Sequence, residues 1–180
     1  MERSTKSGRE TSVESSTISS VLSRPSDLMP LCDYPVYAGA VVRAPDGSIL
    51  CQLRDEKPDI VCPGMWSCCP GGHVEAGESP SDAILRELRE EFEIEVNGLT
   101  PLLTHVEHAG EFQGIYHAFH ANLSTPVENV KCNEGIRAEF FTIEQAVELP
   151  QHPVSLIFLR NYMESETRDD TNHRGSHSQS

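Results

Sequence analysis

Three glutamates, Glu87, Glu90 and Glu91, stand at i, i+3 and i+4 in the run RELREEFEI. On a helix they share one face, where each like-charged pair costs about 0.2–0.5 kcal/mol. A hard divalent cation between them would reverse that penalty, because Mg²⁺ and Mn²⁺ favour carboxylate and water oxygens. The plain alternative is a solvated helix face on which Arg86 and Arg89 act as counter-charges.

The elements that must position these carboxylates can be read around them. Gly71-Gly72 predicts a glycine turn, and Ser79 predicts a helix N-cap, with Pro80 at the first helical position and Asp82 where a capping-box acid falls. Leu85, Leu88 and Phe92 recur at i, i+3 and i+7 with Ile84 beside them, so one helix face is apolar and should pack on a sheet. The carboxylates lie on another face.

Gly72, Glu78, Arg86, Glu87, Leu88, Glu90, Glu91 and Ile94 together satisfy the pattern G-x5-E-x7-R-E-U-x-E-E-x-x-U, with U aliphatic. This resembles the Nudix box, the signature of the Nudix hydrolases. One position departs: Glu93 stands where the family usually has the glycine that ends the helix, which puts the C-terminal turn in question. The resemblance implies an α/β fold of Nudix type, an α/β/α sandwich with a mixed sheet, and cleavage of the diphosphate bond of a nucleoside diphosphate linked to another group. It implies Mg²⁺ (or Mn²⁺) held by Glu87, Glu90, Glu91 and the backbone carbonyl of Gly71. Gly72, Glu78 and Arg86 would anchor the box loop to its helix. Glu87 and Glu134 are the catalytic candidates. Glu134 lies in Asn133-Glu134-Gly135, which resembles a loop of the family's oxidised-guanine triphosphatases. Glu111 is the second candidate base. Gln151, just ahead of the last helix, would read a base edge.

Beyond the box, 28 Asp and Glu against 14 Lys and Arg give a net charge of −14. Such a chain repels bulk nucleic acid, which is bound through cationic contacts to phosphates, although a small nucleotide remains compatible if metal supplies positive charge. Residues 1–28 and 164–180 are polar and Ser-rich and are expected to be disordered tails flanking a domain at 29–163. No apolar run suggests a signal peptide or a membrane span. Six cysteines without C-x-x-C or zinc spacing suggest free thiols in a reducing cytoplasm.

The segment 34–42 predicts a first strand, packed close to another backbone because it is rich in small residues, and 48–53 a second strand in a hairpin with it. A short strand over 67–70, antiparallel strands over 99–107 and 114–121, a last strand over 139–143, a short helix from Thr142 and a terminal helix over 153–163 complete the reading. Trp66 reads as a packing residue rather than a base-stacking one, though the sequence leaves both open. His105, His108, His117 and His120 read as half-exposed surface residues, with a proton shuttle as the sharper alternative. Two other functions compete. An isopentenyl diphosphate isomerase would need a cysteine where Gly71 stands. A non-catalytic nucleotide-binding Nudix module would typically have lost box carboxylates, all of which are present. Nothing in the chain decides between a monomer and a homodimer.

Overall fold

The structure is a computed structural model that describes residues 30–175; the expected N-terminal tail, 1–28, lies outside them. Seven strands form one mixed sheet: β1 (Val36–Arg43), β2 (Ile49–Leu53), β3 (Trp66–Ser67), β4 (Gly71–His73), β5 (Val96–Glu107), β6 (Gly114–Leu123) and β7 (Arg137–Phe141). The main path runs β3-β2-β1-β6-β5, while β4 pairs with β1 and β7 with β2. Among the described strands only β1 and β6 run parallel, in register from Val36 opposite Ile115 to Arg43 opposite Asn122.

Strand β1 sits at the centre because both its faces are apolar. Ala38, Ala40 and Val42 face a core with Ile84, Leu88 and Phe92 of helix α1 (Pro80–Phe92). Val41 faces a second core with Phe158, Leu159 and Tyr162 of helix α3 (Pro153–Gly175) and Ala146 of helix α2 (Ile143–Glu148). One helix on one face and two on the other make an α/β/α sandwich, as two buried sheet faces require. Trp66 belongs to the second core: it is 6% exposed, meets the Phe141 ring edge-on at 5.0 Å and carries the Arg137 guanidinium over its face. It is a packing residue.

Two local expectations are corrected. The strand expected over 67–70 is confined to Trp66–Ser67, and the two glycines expected to form a turn instead begin β4, pairing with Ala38 and Gly39. The cause is close approach. A Cβ on Gly71, at φ +151°, would lie 2.1 Å from the Ala38 carbonyl oxygen, and the neighbouring Ala40 N–H donates to the Pro70 carbonyl at 3.0 Å. Only a residue without a side chain lets the chain run there as a strand.

Helix α1 begins as its residues dictate. Ser79 Oγ accepts from the Asp82 N–H at 3.2 Å, with Pro80 leading the first turn. It ends on Glu93 in the left-handed conformation (φ 55°, ψ 35°), its N–H on the Arg89 carbonyl. The turn that glycine normally makes is therefore kept by a glutamate, and Ile94 beyond it is buried. At the other end of the chain, α3 continues twelve residues past the expected boundary at 163. A helix already nucleated by its packed half extends cheaply through polar residues, aided here by an i, i+4 pair between Glu164 and Arg168 at 3.2 Å. No helix among the described residues is long and apolar enough to cross a membrane.

Candidate active site

Helix α1, strand β4 and the loops after β2 and β6 enclose a cavity of about 390 Å³. Its chemistry is divided. Glu87, Glu91, Glu111 and Glu134 contribute carboxylates, Gly71 and Gly72 contribute backbone, and Tyr37, Tyr116, Phe112, His152 and Phe158 contribute ring surface. Tyr37 and Tyr116 stack with centroids 4.9 Å apart, and Phe112 meets His152 edge-on at 5.2 Å.

The box loop is tied to its helix by Arg86. Its Nε and Nη2 both donate to the Glu78 carboxylate at 3.0 Å, Nη2 also to the His73 carbonyl at 3.0 Å, and Nη1 to Glu87 at 2.8 Å and Glu90 at 3.1 Å. Two parallel charge-assisted bonds make the Glu78 pair the strongest of these contacts, and the bond from Arg86 holds the Glu78 carboxyl below its usual range. Gly72 leaves room for Glu87 as it stands: a Cβ there would lie 2.5 Å from the Glu87 carboxylate.

The three helix glutamates do not share one environment. Glu87 and Glu91, one turn apart, face the cavity, whereas Glu90 stands outside the lining, 61% exposed and paired with Arg86. Glu91 is 7% exposed, yet Leu88, Phe92 and Ile84 bury the rest of its face, so a sequence reading that separates polar from apolar faces puts it on the wrong side. Burial first, then the neighbouring charges of Glu134 and Glu87, push its carboxyl up to about 8, opposed by Arg54 and Gln52. Burial likewise raises Glu87, opposed by Arg86.

Glu134 reaches the cavity through a loop fastened on two sides. Asn133 N–H donates to the Glu91 carbonyl at 2.7 Å and Asn133 Nδ2 to the Glu90 carbonyl at 2.9 Å. Buried Gln52 donates from Nε2 to the Glu134 carbonyl at 3.0 Å and to Glu91 Oε2 at 3.3 Å. Neither Asn133 nor Gln52 carries a sequence signal as a support: their roles depend on contacts across 39 to 43 residues.

Gln151 is not in the cavity wall. It is buried, its Nε2 donates to the Ala146 carbonyl, and its Oε1 has no hydrogen-bond partner among the described residues. A parallel bridge to Trp66 aligns this segment as a strand would be, so neighbouring side chains point oppositely and His152 takes the wall instead. His152 is pushed down to about 4, by burial and then by Arg54, and is neutral near pH 7. Three strand histidines and His108, just past the end of β5, stay outside: His117 bonds Thr104 at 3.0 Å, His108 approaches Tyr34, His105 lies 3.8 Å from Glu107 and His120 lies against Tyr162. The histidines of the lining are His73 and His152.

As they stand, no three acidic, histidine or cysteine side chains among the described residues form a metal-holding group. The donor set nonetheless fits a hard divalent ion. Glu87, Glu91, Glu134 and the Gly71 carbonyl offer oxygen only, and a buried carboxylate raised by its acidic neighbours is a position that added positive charge would stabilise. All six cysteines are free thiols, and Cys51, Cys68 and Cys69 are buried.

Comparison with known proteins bears on the family and the fold. The NUDIX domain family model matches residues 33–162. An RNA pyrophosphohydrolase of Gluconacetobacter diazotrophicus is 43% identical over 61 residues, which is 32% of this chain and 36% of that protein, so the chain spans about a third of that relative. An uncharacterized Nudix hydrolase of Pseudomonas aeruginosa is 31% identical over 125 residues, 64% of this chain and 70% of that protein. Among solved structures, a MutT/Nudix family protein from Listeria innocua superposes with a TM-score of 0.61 at 22% identity, over 76% of this chain and 96% of that one, a likeness of fold.

Proposed function

The chain belongs to the Nudix family, whose hydrolases act on phosphoric anhydride bonds, and from that premise we propose that it is a metal-dependent pyrophosphohydrolase. Its substrate on this reading is a nucleoside diphosphate linked to a further group, with a nucleoside triphosphate preferred. The observation that carries it is the mixed cavity lining, four carboxylates together with the stacked Tyr37 and Tyr116 rings, in a volume suited to one nucleotide.

Glu87, Glu91 and the Gly71 carbonyl, with Glu90 at the rim, would hold Mg²⁺ or Mn²⁺. The ion would offset charge on the phosphate oxygens and ease ionisation of water. The ring wall of Tyr37, Tyr116 and Phe112 positions the base, which fixes the anhydride against the carboxylate wall. Water oxygen bonds to phosphorus, the bridging P–O bond breaks toward the leaving phosphate, and a carboxylate accepts the water proton. Glu134 is our first choice for that proton and Glu111, also in the cavity lining, the second; Glu87 takes it only if it leaves the metal. Six free thiols fit work in a reducing cytosol.

An isomerase reading fails on packing: the position that would need a cysteine is Gly71, where even a Cβ would meet the Ala38 carbonyl. A binding module is separated by turnover. A panel of nucleotides is incubated with Mg²⁺ or Mn²⁺ at mildly alkaline pH, and products are resolved by chromatography. Release of a mononucleotide by the wild type and not by Glu91→Gln supports the proposal. A nucleotide that raises the melting temperature without being cleaved would sink it in favour of the module.

A further inference from the structure

Glu91 and Glu134 reach the cavity from different elements, helix α1 and the loop before β7. One side chain ties them together. Gln52 is 5% exposed and is not itself in the lining; its Nε2 donates to Glu91 Oε2 at 3.3 Å and to the Glu134 carbonyl at 3.0 Å. A side-chain amide nitrogen carries two hydrogens, so each acceptor can take its own. The Gln52 backbone is held on both edges, opposite Ser67 of β3 and Ala138 of β7. The Glu134 loop lies close on this side chain: a Cβ on Gly135, at φ +83°, would come 3.2 Å from Gln52 Cγ and 2.7 Å from the Leu53 carbonyl oxygen. The Ile136 N–H then closes on that same carbonyl at 2.8 Å. The Cys132 thiol also meets the Glu134 carbonyl at 3.0 Å, but it belongs to the loop and cannot join the loop to the sheet. The chemistry of the tie matters as much as its reach. A lysine or arginine at this position would pair with Glu91 as Arg86 pairs with Glu87, at 2.8 Å, and would compete with an added cation. An amide donates without adding charge. It engages Glu91 Oε2 and leaves Oε1 with no hydrogen-bond partner among the described residues.

We propose that Gln52 is a positioning residue of this site: it holds the Glu91 carboxylate and the Glu134 loop in one fixed relation, orienting Glu91 for a divalent cation and Glu134 for the proton it accepts. The inference rests on the hydrolase reading above. A side chain that orients a metal ligand without touching the metal typically carries about a tenfold to hundredfold share of metal affinity or activity. Gln52 is buried behind the two carboxylates it serves and contributes no surface to the cavity. Its loss should therefore spare KM and fall on kcat, the pattern of an interaction that matters in the transition state and not in substrate binding.

The test uses the full-length protein and two variants. Gln52→Met is close in length but has no donors, and Gln52→Asn keeps the amide on a side chain one methylene shorter. Mn²⁺ affinity is measured by electron paramagnetic resonance on the nucleotide-free protein, steady-state kinetics on the nucleotide the wild type cleaves, and melting temperature in EDTA. In Gln52→Met, Mn²⁺ affinity should fall by about tenfold and kcat by about tenfold to a hundredfold, with KM within about twofold of the wild type. Gln52→Asn should fall between. A role in packing alone would lower the melting temperature in EDTA and leave Mn²⁺ affinity and kcat as they are in the wild type. That result in a folded Gln52→Met, or no change in any of the three, overturns the proposal. If Gln52→Met does not fold, Gln52→Asn decides by the same measurements. If the wild type cleaves no nucleotide, the hydrolase reading fails and the Mn²⁺ affinities decide alone: a fall on substitution keeps Gln52 as the residue that positions a cation site, and equal affinities overturn it. If the wild type binds no Mn²⁺ at all, the proposal is overturned.

Discussion

Replacing Glu91 with glutamine should strengthen the metal-free fold while ending turnover. Glu91 is 7% exposed, and its carboxyl is pushed from an ordinary 4.5 up to about 8 by burial, Glu134 and Glu87. A group raised in the folded state stabilises the protein fully below its unfolded pKa and loses that contribution as pH climbs through the folded value. Between about pH 4.5 and pH 8 the metal-free protein therefore surrenders stability through this residue. At about 1.4 kcal/mol per pKa unit, and with water from the open cavity mouth relieving part of the burial, the loss is on the order of 2–4 kcal/mol. Glutamine cannot ionise, and its carbonyl can still accept from Gln52. Urea unfolding in EDTA should show Glu91→Gln near the wild type at pH 5 and more stable by about 2–4 kcal/mol at pH 8. Added Mg²⁺ should then stabilise the wild type and leave the variant unmoved. A variant weaker than the wild type by the same amount at both pH values would refute the reasoning, since the carboxylate would then be a net support of the fold.

Glu90→Gln should abolish turnover with the melting temperature within a few degrees of the wild type, because the side chain is 61% exposed and holds only one of the bonds of Arg86; full activity would remove Glu90 from the metal assignment. Glu93→Gly should gain about 0.5–1 kcal/mol from relief of the left-handed cap, less what its 3.3 Å contact with Asn133 contributes; a clear drop in thermal stability would show that contact to matter more than the backbone. Phe92→Ala should cost about 3–5 kcal/mol, since the ring is fully buried between α1 and the sheet; a chemical-denaturation midpoint close to the wild type would place the weight of that core elsewhere.

What could be read from the chain and what could not divide along the range of the interactions. Helix α1 was legible because its signals are local: Ser79 and Pro80 at the start, apolar spacing within, charged residues between. The second and fifth to seventh strands were legible from β-formers bounded by turn residues. Strand β4 was not, since two glycines in sequence signal a turn and only the proximity of Ala38 makes them a strand. The same limit applies to the site. The residue types of Glu87 and Glu91 were evident, but the burial of Glu91 depends on the sheet beneath it. Gln52, Arg54 and His152 gave no sign at all, because each acts through neighbours remote in the sequence. That Gln151 lies outside the cavity lining and His152 within it was not legible, because the bridge to Trp66 decides which of two adjacent side chains faces inward.

Gly71 and Gly72 bring main chain to the cavity lining, and a Cβ at either position meets the Ala38 carbonyl or the Glu87 carboxylate. Such main chain offers sequence drift nothing to adjust. On the proposed reading, a change of substrate would have to come through lining residues such as Tyr37, Phe112 and His152, which stand on separate segments and can change one at a time.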